Sequence, residues 1–466
     1  MVNPRFLLVT LPAQGQINPA LQFAERLIRI GAEVTYTTTI FAHRRMLQTT
    51  IPNGLTFAPF SDGNDDGFNP ATHDFIQNNL DIERLGSQAV GELIKSAAEQ
   101  GQPFSCLVYP LLVPWAGKVA RKFHLRTALL WVQPATVFDI NYHYFYGYGD
   151  IIKKNGKDPS FSLKFPGLPV PISICDLPSI MKDAPNRMEI NFKQSLVEMF
   201  EGLELESNPI ILSNTFDALE PEAFKAISNF NLIGIGPLIP FSFFDEKSPS
   251  EISFCGDPVQ SSEANYVRWL NSKPKASVVY VSFGSLSVLS KPQTEEIEKG
   301  LLHFGRPFLW VIREKEDEKL SCREELEKLG MIVPWCSQLD VLSNSSLACF
   351  VTHCGWNSSL ESLVSGVPVV AFPQWFDQIT NAKLIEDLWK TGVRVKRKKD
   401  GIVEGGEIKR CLELLMGDEE KGKEIRSNAE KWKSLAGEAA REGGSSERNF
   451  EAFMNEVLGK VSLCLD

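Results

Sequence analysis

The chain is short of histidine, of basic excess and of long apolar runs, and each shortage removes a class of function. Among 466 residues there are six histidines, and none precedes His43. Lys and Arg number 48 against 58 Asp and Glu, and the resulting net charge of −10 argues against nucleic acid, whose phosphates need clustered basic surface. No stretch approaches the roughly 20 apolar residues of a membrane span. The N-terminal run Phe6 to Leu11 is too short for a signal segment and reads as a first strand. No G-x-G-x-x-G follows any expected strand, which disfavours a nicotinamide or flavin enzyme. The nine cysteines lack pairing or metal-ligand spacing, so no metal site is expected and a reducing compartment, the cytosol, is.

What is present is the length for two domains and an ordinary globular composition, 43% hydrophobic and 23% charged. Residues 5 to 40 read as strand, loop, helix, strand, with Gly31 ending the helix. The loop from Pro12 to Pro19 then lies at the carboxyl end of a parallel strand, where open α/β sheets bind ligands. Strand and helix alternate again through 104 to 150, which ends in an aromatic run from Phe138 to Gly147. Such a run either lines a pocket for a flat substrate or fills a core. Residues 151 to 205 are Pro-rich and read as extended chain with short helices, of the kind that shapes a site entrance. The Asp62 to Gly67 loop looks like the start of a calcium loop, but Pro70 interrupts it and the twelfth position is His73, so it is read as a solvated turn.

The stretch from Trp335 to Gln378 reads WCSQLDVLSNSSLACFVTHCGWNSSLESLVSGVPVVAFPQWFDQ. Leu347 to Thr352 is short and continuously apolar, as a buried parallel strand would be. It breaks at His353-Cys-Gly355, and a helix opens at Asn357 and closes at Gly366. A strand, a tight turn and a helix N-terminus aim unpaired backbone N–H groups at an anion.

This stretch resembles the signature box of the plant family-1 UDP-glycosyltransferases, with W-C-x-Q at one end, H-C-G-W-N-S in the middle and D-Q at the other. The resemblance continues through LPAQGQINPALQFAERL at the N-terminus, VYVSFGSLS at 279 to 287 and LIGIGPL at 232 to 238. Within the family it resembles the enzymes that make anthocyanin 5-O-glucosides and glucose esters of small carboxylic acids. It implies an α/β GT-B fold, two Rossmann-like parallel domains facing across a cleft. The expected division is 1–238 for the acceptor, 239–262 as linker, 263–445 for the UDP-sugar, and 446–466 as a helix packing back on the first domain.

The resemblance also assigns residues. Trp335 would stack on uracil and Cys336 would hold the base edge through its backbone, while Gln338 and Glu361 would take the ribose hydroxyls. Read locally, Ser358-x-x-Glu361 is also a capping-box pattern, and Trp335 could be core. His353, Asn357 and Ser358, with Ser282 and Ser285 of the SFGS turn, would surround the diphosphate. Trp356, Asp377 and Gln378 match sugar-contacting positions, Gln at the last being the glucose pattern; the resemblance also favours the pocket reading of the aromatic run, with Trp131 to Thr136 at its sugar-facing edge and Gln133 a further candidate for a sugar hydroxyl. The partners implied are UDP-glucose and a small acceptor, with no cofactor and the chain a monomer.

One departure from the family pattern matters. Gln16 stands where the family has its general-base histidine, and Pro110 where it usually has the partner Asp, a position that similar enzymes fill with a small hydroxyl residue. An amide can hydrogen-bond and orient a hydroxyl but has no pKa near neutrality. Gln16 is therefore either a functional position whose base is replaced or a solvated loop residue. The first reading implies impaired catalysis, and a UDP-sugar-binding protein without turnover is the alternative.

Overall fold

A computed structural model describes residues 3–46, 51–69, 72–182, 185–244, 260–313 and 320–459. Strands β1 (Arg5–Val9), β2 (Glu33–Thr37), β3 (Leu55–Phe57), β4 (Cys106–Pro110) and β5 (Thr127–Trp131) begin a first sheet. A two-strand hairpin of β6 (Ser162–Leu163) and β7 (Ile172–Ser173) stands apart, and β8 (Ile210–Ser213) and β9 (Asn231–Gly234) complete the sheet. Its order is β3-β2-β1-β4-β5-β8-β9, every neighbour parallel. A second parallel sheet runs β12-β11-β10-β13-β14-β15, from β10 (Val278–Ser282), β11 (Phe308–Val311), β12 (Met331–Val333), β13 (Leu347–Thr352), β14 (Val369–Ala371) and β15 (Gly392–Arg394).

Both sheets are buried on two faces, which is why their strands read as apolar runs rather than alternating ones. Successive side chains point to opposite faces. Leu7 and Val9 of β1 therefore join one core cluster with Leu107, Tyr109 and Leu129, while Phe6 and Leu8 join another with Val34, Val108 and Leu130. The second face is closed from far along the chain: the Ser445–Val457 helix sets Phe450 and Phe453 against Phe23, ring centroids 5.7 and 6.2 Å apart. Among the described residues no helix is long and apolar enough to cross a membrane. Of the expected linker, residues 245–259 lie outside the described residues.

Three expectations need correction. The loop expected from Pro12 to Pro19 is already helix from Gln14, so Gln16 sits in the first turn of the Gln14–Arg29 helix with Pro19 inside it. A proline this near an N-terminus leaves only one carbonyl, that of Gly15, without its helical N–H, so the helix survives. The aromatic run is core and flank rather than cleft lining: Phe138 is fully buried against Trp131, Phe200 and Phe230, and the chain kinks at Tyr146 and Gly147. Residues 151 to 205 hold one long helix, Arg187–Glu204, nucleated by a capping box of Asn186 and Glu189 that the proline content masked. The Asp62 loop is the turn it was read as, with Asp62 Oδ1 accepting the Asn64 N–H at 2.9 Å.

Candidate functional site

A cavity of about 340 Å³ lies between the two sheets, within the range of small-molecule sites. It is lined by the segments that leave the carboxyl ends of β1, β5, β10, β11, β12, β13 and β14. That is where parallel sheets offer loops and helix N-termini to ligands. Gln16, Gln133, Ser282, Ser285, Trp335, Cys336, Gln338, His353, Trp356, Asn357, Ser358, Glu361, Asp377 and Gln378 all line it. Pro110 does not; it is buried in β4, paired with Leu130.

One end is a polar network with an aromatic beside it. Gln338 Nε2 donates to Glu361 Oε2 at 2.6 Å and to Ser358 Oγ at 2.9 Å, while Gln338 Oε1 accepts from Tyr280 Oη at 3.3 Å. Burial raises the Glu361 carboxyl to about 7, opposed by the Gln338 bond. The capping-box alternative for Glu361 does not hold. The N-cap of the Trp356–Ser365 helix is Gly355, which puts Ser358 third and Glu361 sixth in the helix. Trp335 is half-buried, its indole N–H without a partner, and Cys336 is buried with its Sγ 3.4 Å from Tyr280 Oη.

The middle is built for an anion. Gly355 has no side chain to cap the helix, so the first N–H groups of the Trp356–Ser365 helix have no side-chain acceptor. The chain reaches that helix through Cys354 at φ 62°, an uncommon conformation for a residue with a Cβ, steadied by a 3.2 Å bond from its N–H to Thr352 Oγ1. His353 lodges between two glycines: a Cβ on Gly284 would stand 2.6 Å, and one on Gly355 2.4 Å, from its Nε2. Burial lowers its pKa to about 4, so the imidazole is neutral and can donate one N–H. Its Nδ1 is buried without a partner.

At the other end Asp377 accepts from Asn381 Nδ2 at 2.7 Å, and Gln133 lines the cavity from the opposite wall. Burial raises its carboxyl to about 6. Gln378 Oε1 accepts the N–H groups of Gln374 and Trp375 at 2.9 and 3.2 Å, which leaves its amide N–H₂ for the cavity. Phe376, at φ 50°, is pinned from the first sheet's side by Ser179, whose Oγ accepts its N–H at 2.8 Å. Phe192, from the Arg187–Glu204 helix, packs against it at a tilt, with centroids 4.8 Å apart. Trp356 lies differently from a simple sugar platform: its indole donates to the Asn214 carbonyl at 2.7 Å and packs beside Trp389. Gln16 is buried in the wall formed by the first helix, with its Oε1 unpartnered.

Sequence reasoning missed Arg313, which also lines the cavity and donates to the carbonyls of Ser285 and Ser287. The available signal was a charge placed two residues past the apolar strand FLWV, where a strand's carboxyl end meets a ligand. Tyr280, the hydroxyl under Gln338, sits inside an apolar strand and gave none.

Comparison with known proteins gives a consistent result. Residues 255–421 match the family described as UDP-glucoronosyl and UDP-glucosyl transferase. Over 98% of this chain and 98% of the relative, the sequence is 58% identical to phloretin 4'-O-glucosyltransferase of Malus domestica. It is 50% identical to anthocyanidin 3-O-glucoside 5-O-glucosyltransferase 1 of Perilla frutescens, over 98% and 99% of the two chains. Among solved structures, Os79 from O. sativa in complex with UDP superposes with a TM-score of 0.83 at 35% identity, covering 97% of this chain and all of that one.

Proposed function

The chain belongs to the plant family-1 UDP-glycosyltransferases, with the GT-B fold, and from that premise we propose that it transfers glucose from UDP-glucose to a phenolic hydroxyl or a carboxyl group of a small plant metabolite. The observation that carries the donor half is the seating of His353 between Gly284 and Gly355 beside an uncapped helix N-terminus. In this reading the diphosphate lies there, Gln338 and Glu361 take the ribose, Trp335 faces the base, and Asp377, Gln378 and Gln133 hold the hexose. Ser282, Ser285, Asn357 and Ser358 complete the phosphate shell, and Trp356 forms the wall behind the sugar.

The reaction is a direct displacement. The acceptor oxygen attacks the anomeric carbon, the bond from that carbon to the diphosphate oxygen breaks with its electron pair going to UDP, and the configuration inverts. Fixed N–H dipoles aimed at the oxygen that gains charge stabilise that departure. Gln16, in the position of the family's base, can hold the acceptor oxygen but cannot take its proton, which a neutral acceptor must give up to solvent water or to the departing UDP. Losing a general base costs on the order of 10²–10⁴ in rate. Acceptors already ionised at neutral pH, carboxylic acids and acidic phenols, lose least.

The second reading, a UDP-sugar-binding protein without turnover, is favoured by the unpartnered Oε1 of Gln16 and by the burial of Pro110 away from the cavity. Incubating the native chain and its Gln16→His variant with UDP-glucose and a panel of flavonoids and plant acids, with products detected by mass, decides between them. A gain of about two orders of magnitude or more at histidine supports a disabled transferase. No product from either protein, with UDP bound tightly by both, supports the binding module.

A further inference from the structure

We infer that Arg313 is a positioning residue for the phosphate end of the donor site, its guanidinium forking across the loop after β10 and setting where Ser285 is presented. The inference rests on reading the cavity as a UDP-sugar site. Arg313 Nη1 donates to the Ser285 carbonyl at 2.5 Å and Nη2 to the Ser287 carbonyl at 2.6 Å. A planar fork suits two carbonyls spaced in this way, whereas a lysine offers one flexible point.

Leu286 and Val288 are 60% and 65% exposed, while Ser287 is buried and Leu289 packs against the core of the second sheet. Its start is fixed at Gly284, at φ 73°, where the absent Cβ leaves room for His353. Its end is fixed at Ser290, which caps the Lys291–Phe304 helix by accepting the Gln293 N–H. Between those anchors the Arg313 fork takes two carbonyls and thereby sets the direction of the Ser285 side chain between them. Arg313 reaches the loop because β11 and β10 are parallel neighbours, so the residue just past one strand lies beside the loop leaving the other. The cost of a misplaced ligand grows steeply with distance, so a residue that fixes the loop acts on phosphate without touching the base or ribose.

The test separates the two ends of the nucleotide in the full-length chain. Uridine samples the Trp335, Gln338 and Glu361 end, and UDP adds the phosphates. Arg313→Ala is expected to bind uridine within about twofold of the native chain and UDP roughly tenfold more weakly. Arg313→Lys, which keeps the charge but not the fork, is expected to match the alanine variant. Arg313→Gln, which fills part of the same space but has one donor nitrogen in place of the two-nitrogen fork, is expected to show the same split should alanine fail to fold. Native UDP affinity in the lysine or glutamine variant, or an equal loss for uridine and UDP in any variant, overturns the inference. A native chain that binds neither ligand overturns the donor-site reading beneath it.

Discussion

Asn357 Nδ2 donates to the carbonyl of Gly15 at 3.2 Å, joining the first turn of the donor-side helix to the first turn of the helix on the opposite wall. The carbonyl is free to do so because the residue four along is Pro19, which has no N–H to give it. A residue that weakens its own helix thus ties Gly15, next to Gln16, to the helix that follows the His353 turn.

Replacing the proline should separate stability from function. Pro19→Ala supplies the missing N–H and removes a residue about 3 kcal/mol poorer than alanine in a helix interior. The variant should resist urea at least as well as the native chain yet transfer glucose several-fold more slowly. Loss of stability with unchanged turnover would contradict the bond's role.

Glu361 should couple donor binding to pH. Its carboxyl is raised from 4.5 to about 7 by burial, so the folded, unliganded protein holds that proton more tightly than the unfolded chain does. The stabilising contribution is full below about pH 4.5 and is lost as pH rises through 7. Only the ionised form accepts from both ribose hydroxyls, so UDP affinity should rise between pH 6 and pH 8. Glu361→Gln should melt like the native protein at pH 4 and above it at pH 8, while binding UDP about tenfold or more weakly. A flat pH dependence of UDP affinity in the native chain would rule this role out.

Asp377 should matter to the sugar and not to the nucleotide. It is tied to Asn381 beneath it, with Gln133 on the opposite wall of the cavity, at the end away from Trp335. Asp377→Asn should leave the UDP dissociation constant within about twofold and raise KM for UDP-glucose about tenfold, measured against the same acceptor. An equal weakening of UDP and UDP-glucose would place Asp377 elsewhere in the account.

The parts of this molecule that could be read from sequence are those whose cause is local. Leu347–Thr352 is an unbroken apolar strand, and Gly366, at φ 72°, stops the following helix as a left-handed cap should. Gln16 was harder to place, because Pro19 looks like a helix boundary and is in fact tolerated six residues in. The aromatic run from Phe138 could not be assigned by composition, since a core and a pocket for a flat ligand favour the same side chains. Whatever depends on distant partners gave no local pattern at all. Trp356 finds its acceptor at Asn214, 142 residues away, and the fork of Arg313 is visible only once β10 and β11 lie side by side.

The central claim is that a diphosphate sits where His353 passes between Gly284 and Gly355. Calorimetric titration of UDP into the native chain and into Gly355→Ala, whose added Cβ would stand 2.4 Å from His353 Nε2, tests it most directly. The account predicts one binding site in the native protein and at least a hundredfold loss in the variant, on the order expected when a phosphate cradle is filled and its ligands pushed apart. No heat from the native chain, or the same affinity in both proteins, would contradict it.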